Sequence, residues 1–157
     1  MNPKGIPCLY LASHRNTAIA EVRPWRHARV SVGSFVTDKD LKVIDCSPST
    51  VRRLIVPASK RLRQEDVWGD INAAFSRPIE PDDTNPDYVP TQVVAELFRH
   101  NGYDGVRFRS SVASGNNLAL FDLGAAGLVT CELYRVKTIE YTAAPWGKPY
   151  YVSKRQK

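Results

Sequence analysis

A chain of 157 residues with 43% apolar and 24% charged side chains is one domain's worth of sequence and can bury an ordinary core. Its net charge of +6 suits an anionic ligand. The basic residues, however, gather at 23–29, 52–63 and 148–157 without interleaved aromatics or a nucleic-acid motif, which argues against nucleic acid as a partner. The widely separated Cys8, Cys46 and Cys131 lack metal-ligand spacing and read as reduced core residues. No apolar run has membrane-spanning length and no signal-peptide pattern is present, so a cytoplasmic location is expected.

In chain order, Met1–Gly5 is turn chemistry that runs straight into a strand over Pro7–Ala12, with Cys8, Tyr10 and Ala12 on one face. Ser13 is placed to cap a helix that reaches about Val22 and is stopped by Pro24. On that helix Thr17 and Glu21 lie four apart, so a tyrosine leaving a strand and a carboxylate on the next helix can converge on one cleft. The plainer reading makes Tyr10 a core aromatic and Glu21 a solvated helix residue.

Strands follow at Ala28–Val36, where Gly33 marks a bulge, and at Leu41–Cys46. After the basic segment Pro48–Arg63, a helix over Gln64–Phe75 carries an apolar stripe of Val67, Trp68, Ile71, Ala74 and Phe75. Arg77–Pro90, rich in prolines and acids, reads as a surface loop or lid. The periodicity then predicts a helix from Thr91, its cap, to Asn101, with Gly102 ending it.

The stretch YDGVRFRSSVASGNNLALF, Tyr103–Phe121, reads as a hairpin. Val106 and Phe108 alternate with Arg107 and Arg109, and Ser110, Ser111 and Asn117 gather at its mouth. A polar turn capped by Ser and Asn is the alternative to a binding site. A last β segment covers Leu128–Thr142, with Val129, Cys131 and Leu133 on one face, before a basic tail over 145–157. The sequence contains no dinucleotide-binding glycine motif, no P-loop, no zinc-binding H-E-x-x-H and no paired-cysteine metal site. His14, His27 and His100 have no spaced partners, and no nucleophile elbow surrounds Ser110 or Ser111.

Two of these stretches resemble a known family. NPKGIPCLYLASHRNTAIAEVRP is similar to the first half of a RES domain, and YDGVRFRSSVASGNNLALF to its serine block. The intervening YVPTQVVAELFRHNGYDG is similar to the helix that leads into that block, and the likeness spans roughly residues 2–141. It implies an α+β fold like that of the ADP-ribosyltransferases, with two mostly antiparallel sheets around an NAD cleft and flanking helices, as a single domain over 1–144. By motif match Glu21 and Ser110 are the catalytic residues, with Ser111 adjacent and Tyr10 near the nicotinamide. The family's arginine lies upstream of the Asn-Pro-x-Gly turn at which this chain starts, and no arginine precedes Arg15. The domain is therefore read as incomplete at its N-terminus, and the chain as weakly active or inactive.

The resemblance implies an enzyme that consumes NAD by glycohydrolysis, phosphorolysis or ADP-ribosyl transfer, with NAD as substrate and no resident cofactor or metal. It also implies a toxin-type role with a helix-turn-helix antitoxin as partner. Cleavage of the nicotinamide–ribose bond builds positive charge on the ribose, which a carboxylate such as Glu21 stabilises. Thr17, Ser111 and Asn117 are candidate hydrogen-bonding groups for substrate. Arg107 or Arg109 is the candidate cation for the pyrophosphate, although strand alternation leaves open which face lines the cleft. The alternatives are a catalytically inactive binding module of the same fold, and a nucleic-acid-binding β domain supported by net charge alone. Self-association through an unpaired sheet edge is a further expectation.

Overall fold

A computed structural model describes residues 6–47, 58–77, 89–145 and 147–148 of the chain. Strand β1 (Leu9–Ala12) leads into helix α1 (Arg15–Glu21), then β2 (Arg29–Thr37) and β3 (Val43–Asp45). Helices α2 (Ala58–Ser76) and α3 (Val89–His100) precede the hairpin of β4 (Gly105–Arg109) and β5 (Asn116–Leu120). A short 3₁₀ turn, Leu123–Ala125, then opens β6 (Ala126–Arg135). Among the described residues the strands form two sheets. One is four-stranded in the order β1-β5-β4-β3, and the other pairs β2 with β6. This is the α+β, two-sheet architecture expected from the sequence. All the pairings are antiparallel except β3 with β4, whose connection through α2 and α3 is long enough for a parallel crossover.

Strand alternation divides the four-stranded sheet. Register sets Tyr10 beside Ala119 and Val106, and Ala12 beside Asn117 and Phe108, on one face. There Val106, Phe108 and Ala119 pack with Phe75 of α2 and Ala95 of α3. Leu9, Leu11, Leu118 and Leu120, on the opposite face, pack with Ala125 and Ala126. Val106 and Leu120 are wholly buried, and each such side chain contributes about 1.5–3 kcal/mol of transfer free energy. Gly102, at φ +75°, closes α3 as expected. Its N–H reaches Arg99 O at 3.0 Å and that of Tyr103 reaches Phe98 O at 3.1 Å, a left-handed C-terminal motif open to glycine.

Several expectations need correction. Ser13 does not cap α1: its hydroxyl accepts the Asn116 N–H at 3.0 Å, and His14 is the N-cap, without a side-chain capping bond. Val67 and Trp68 are exposed, at 55% and 41%, because α2 turns Ile71 and Phe75 to the core instead. Cys131 is exposed rather than a core residue, as are Val129 and Leu133, because among the described residues β2 alone pairs with that strand. The bulge lies between Ser34 and Phe35, just beyond Gly33, and β6 stops at Arg135. Helix α3 starts at Val89, which leaves Thr91 buried inside its first turn. Most of the acidic loop and most of the basic tail lie outside the described residues.

Candidate active site

A cavity of about 940 Å³ opens between the end of β1, one face of α1, the strand β2 and the end of α2. Helix α1 contributes His14, Arg15, Ala18, Glu21 and Val22, the i, i+1, i+4, i+7, i+8 spacing of a single helical face. Tyr10 comes from β1, half exposed, and Ser111, Val112 and Asn117 come from the β4–β5 hairpin. The fold thus joins the two stretches singled out in the sequence.

Glu21 is the centre of this junction. Its Oε1 accepts the Ser110 hydroxyl at 2.8 Å and the Asn117 side-chain N–H at 2.6 Å. Neither bond uses Oε2, and the residue is exposed to the cleft. Ser110 Oγ also accepts the N–H groups of Val112 at 3.2 Å and Ala113 at 3.1 Å. A hydroxyl has one donor and two acceptor positions, so these three bonds fully occupy Ser110. Asn117 donates to the carboxylate, which fixes its amide orientation and leaves its buried Oδ1 without a partner among the described residues.

The hairpin loop is locked to the start of α1. Thr17, wholly buried, donates to Ser114 O at 2.6 Å, and the Ser13 N–H donates to Asn116 O at 2.9 Å. Gly115, at φ +126°, lies against them: a Cβ there would stand 2.7 Å from Thr17 Oγ1 and 2.9 Å from Ser13 Oγ. Thr17 therefore anchors the loop and is not among the described residues that line the cavity.

Of the predicted site residues, Tyr10, Glu21, Ser111 and Asn117 line the cleft and Ser110 stands directly behind Glu21. Arg107 and Arg109 are not brought there. They alternate with Val106 and Phe108 and project from the other face of β4, with Arg107 paired to Asp45 at 3.1 Å. The cations that line the cleft are Arg15, Arg23 and Arg77, around Glu21 as the sole carboxylate among the described lining residues. Helical spacing back from Glu21 through Ala18 was the signal that could have found Arg15. No cluster of three or more metal-ligating side chains occurs among the described residues, and no described helix is long and apolar enough to cross a membrane.

The RES-domain family model matches residues 1–146. The chain belongs to the RES-domain family. Neither the curated proteins nor the solved structures give a match. In this RES domain the glutamate of α1 and the serine at the end of β4 meet in one hydrogen bond, although they belong to separate motifs.

Proposed function

We propose that this RES domain is an enzyme that cleaves the nicotinamide–ribose bond of NAD, with Glu21 stabilising the positive charge that develops on the ribose. The observation that carries this reading is a cleft whose described lining has one carboxylate among cations, fixed through one oxygen while no described residue engages the other. NAD has matching chemistry: an anionic diphosphate linked to a ribose that turns cationic as the C–N bond breaks.

Nicotinamide leaves with the bonding electron pair as a neutral ring. The ribosyl carbon then takes an oxygen from water, from phosphate or from an acceptor group, and a proton is released. Glu21 acts most strongly once the ribose has become cationic, which is the condition for raising the rate rather than merely binding substrate. Ser110 and Asn117 hold the carboxylate in position in advance, so little reorganisation accompanies the step. Tyr10 offers a ring face to the nicotinamide cation. NAD is consumed and not retained. Family membership supports a toxin-type role in the cytoplasm, with a helix-turn-helix antitoxin as partner.

Incubation with NAD, with and without phosphate, followed by detection of free nicotinamide, tests the proposal. Nicotinamide release that disappears in Glu21→Gln is the expected result. Tight NAD binding without release would instead establish an inactive binding module.

A further inference from the structure

We propose that Arg15 is the diphosphate-binding residue of the cleft, held there by Tyr134 and Glu132 of the second sheet, so that the site selects dinucleotides over ribosides. The inference rests on NAD being the substrate and goes beyond it, because it assigns the cation that meets the diphosphate.

Arg15 opens α1 and Glu21 closes it, and both belong to the face that lines the cleft. At about 1.5 Å per residue they stand about 9 Å apart along the axis, a gap that a ribose 5-phosphate and an arginine side chain can bridge. The Arg15 guanidinium carbon lies 4.7 Å from the centroid of the Tyr134 ring, and its Nη1 donates to the Tyr134 hydroxyl at 3.0 Å. That hydroxyl is in turn hydrogen-bonded to Glu132 Oε2. Because the hydroxyl donates its hydrogen bond to Glu132, its oxygen presents a lone pair to Arg15.

The contact ties the start of α1 to the second sheet, because Arg15 is on the helix that follows β1 while Tyr134 and Glu132 are on β6. It orders a long side chain before any ligand arrives. A guanidinium carries five N–H donors, and Tyr134 takes one. No described carboxylate forms an ion pair with Arg15, whereas Arg107 is matched by Asp45 and Arg99 by Glu96. A pre-oriented guanidinium that spends one donor on Tyr134 and forms no direct ion pair with a described carboxylate has the recognition chemistry of a phosphate group.

The test measures binding of ADP-ribose and of adenosine by calorimetry, and NAD turnover, for the wild type and for Arg15→Ala, Arg15→Lys and Tyr134→Phe. Arg15→Ala should weaken ADP-ribose binding roughly thirty- to a thousandfold while leaving adenosine unchanged. Arg15→Lys, which keeps the charge but not the fork, should recover part of the loss. Tyr134→Phe should raise KM for NAD several-fold with kcat nearly preserved. Equal losses for ADP-ribose and adenosine would mark a merely structural role and overturn the proposal, as would ADP-ribose binding by Arg15→Ala at wild-type strength. If the wild type releases no nicotinamide yet its ADP-ribose binding depends on Arg15, the cleavage reading fails and this assignment stands.

Discussion

Ser110, at the end of β4, gives its hydroxyl proton to Oε1 of Glu21, 89 residues earlier in the chain, over 2.8 Å. The Ser110 Oγ also accepts two backbone N–H groups of its own loop, so one side chain shapes the turn and orients the carboxylate. Ser110→Ala should therefore cost both stability and activity. Two loop N–H groups lose their acceptor and Glu21 loses one of its two supports, a penalty of about 1–3 kcal/mol in folding. NAD turnover should fall roughly tenfold, on the scale of a misoriented rather than a deleted group. Parallel thermal melts and nicotinamide assays check the pair. A variant melting like the wild type with full turnover would count against the orienting role.

Glu21→Gln separates charge from shape. Glutamine keeps a carbonyl oxygen able to accept from Ser110 and Asn117, so the melting temperature should change little. Turnover should nevertheless fall about a hundredfold or more, the effect of losing one preorganised electrostatic stabiliser. Undiminished nicotinamide release in this variant would reduce Glu21 to a helix-surface residue.

The parts of the site legible in the sequence are those set by periods of one element. Tyr10 and Ala12 share a strand face with Asn117 and Phe108 because the period of two survives into the sheet. The stop at Gly102 was legible because the left-handed cap has a residue requirement. What the sequence could not disclose is which face of an element meets which partner. Arg107 and Arg109 satisfied the alternation yet turned away from the cleft, since Val106 and Phe108 took the buried side against α2 and α3. Ser13 had the chemistry of a helix cap, but tertiary pairing drew its hydroxyl to Asn116, over a hundred positions away in sequence. Cys131 lay in an apolar run and still faces outward, because only β2 flanks its strand among the described residues.

The cysteines give a pH-dependent prediction. Burial, with a smaller contribution from the Asp45 charge, pushes the Cys46 thiol from 9.0 up to about 12. Burial also raises that of the partly buried Cys8, whereas Cys131 is exposed. Because the thiolate is the reactive form, iodoacetamide should label Cys131 first, then Cys8, and Cys46 only on unfolding. Between pH 9 and 12 the folded state holds a Cys46 proton that the unfolded state has released. Stability should therefore fall as pH rises through that window, with no contribution from Cys46 below it. Denaturant melts at stepped alkaline pH, compared with Cys46→Ala, measure this share. An unchanged slope in the variant would show that burial does not hold the proton.

Gly115→Ala tests whether the loop must be seated on α1 for catalysis. The backbone there has φ +126°, a conformation disfavoured for any residue with a Cβ. The added methyl would also stand 2.7 Å from Thr17 Oγ1, 2.9 Å from Ser13 Oγ and 3.0 Å from His14 Nδ1. Each of those atoms belongs to the start of α1, and the Thr17 and Ser13 side chains are themselves bonded to the loop. Relief requires the loop to lift from the helix, which withdraws Ser110 and Asn117 from Glu21. Strain at a positive-φ position costs on the order of 1–3 kcal/mol, and melts should register a loss of that size. Turnover should fall by more than the folded fraction explains, because the molecules that remain folded carry a displaced carboxylate support. Gly127→Ala is the control, since a Cβ there meets no atom within 4 Å. Full specific activity of folded Gly115→Ala protein would show that the loop's seat on α1 is not needed for catalysis.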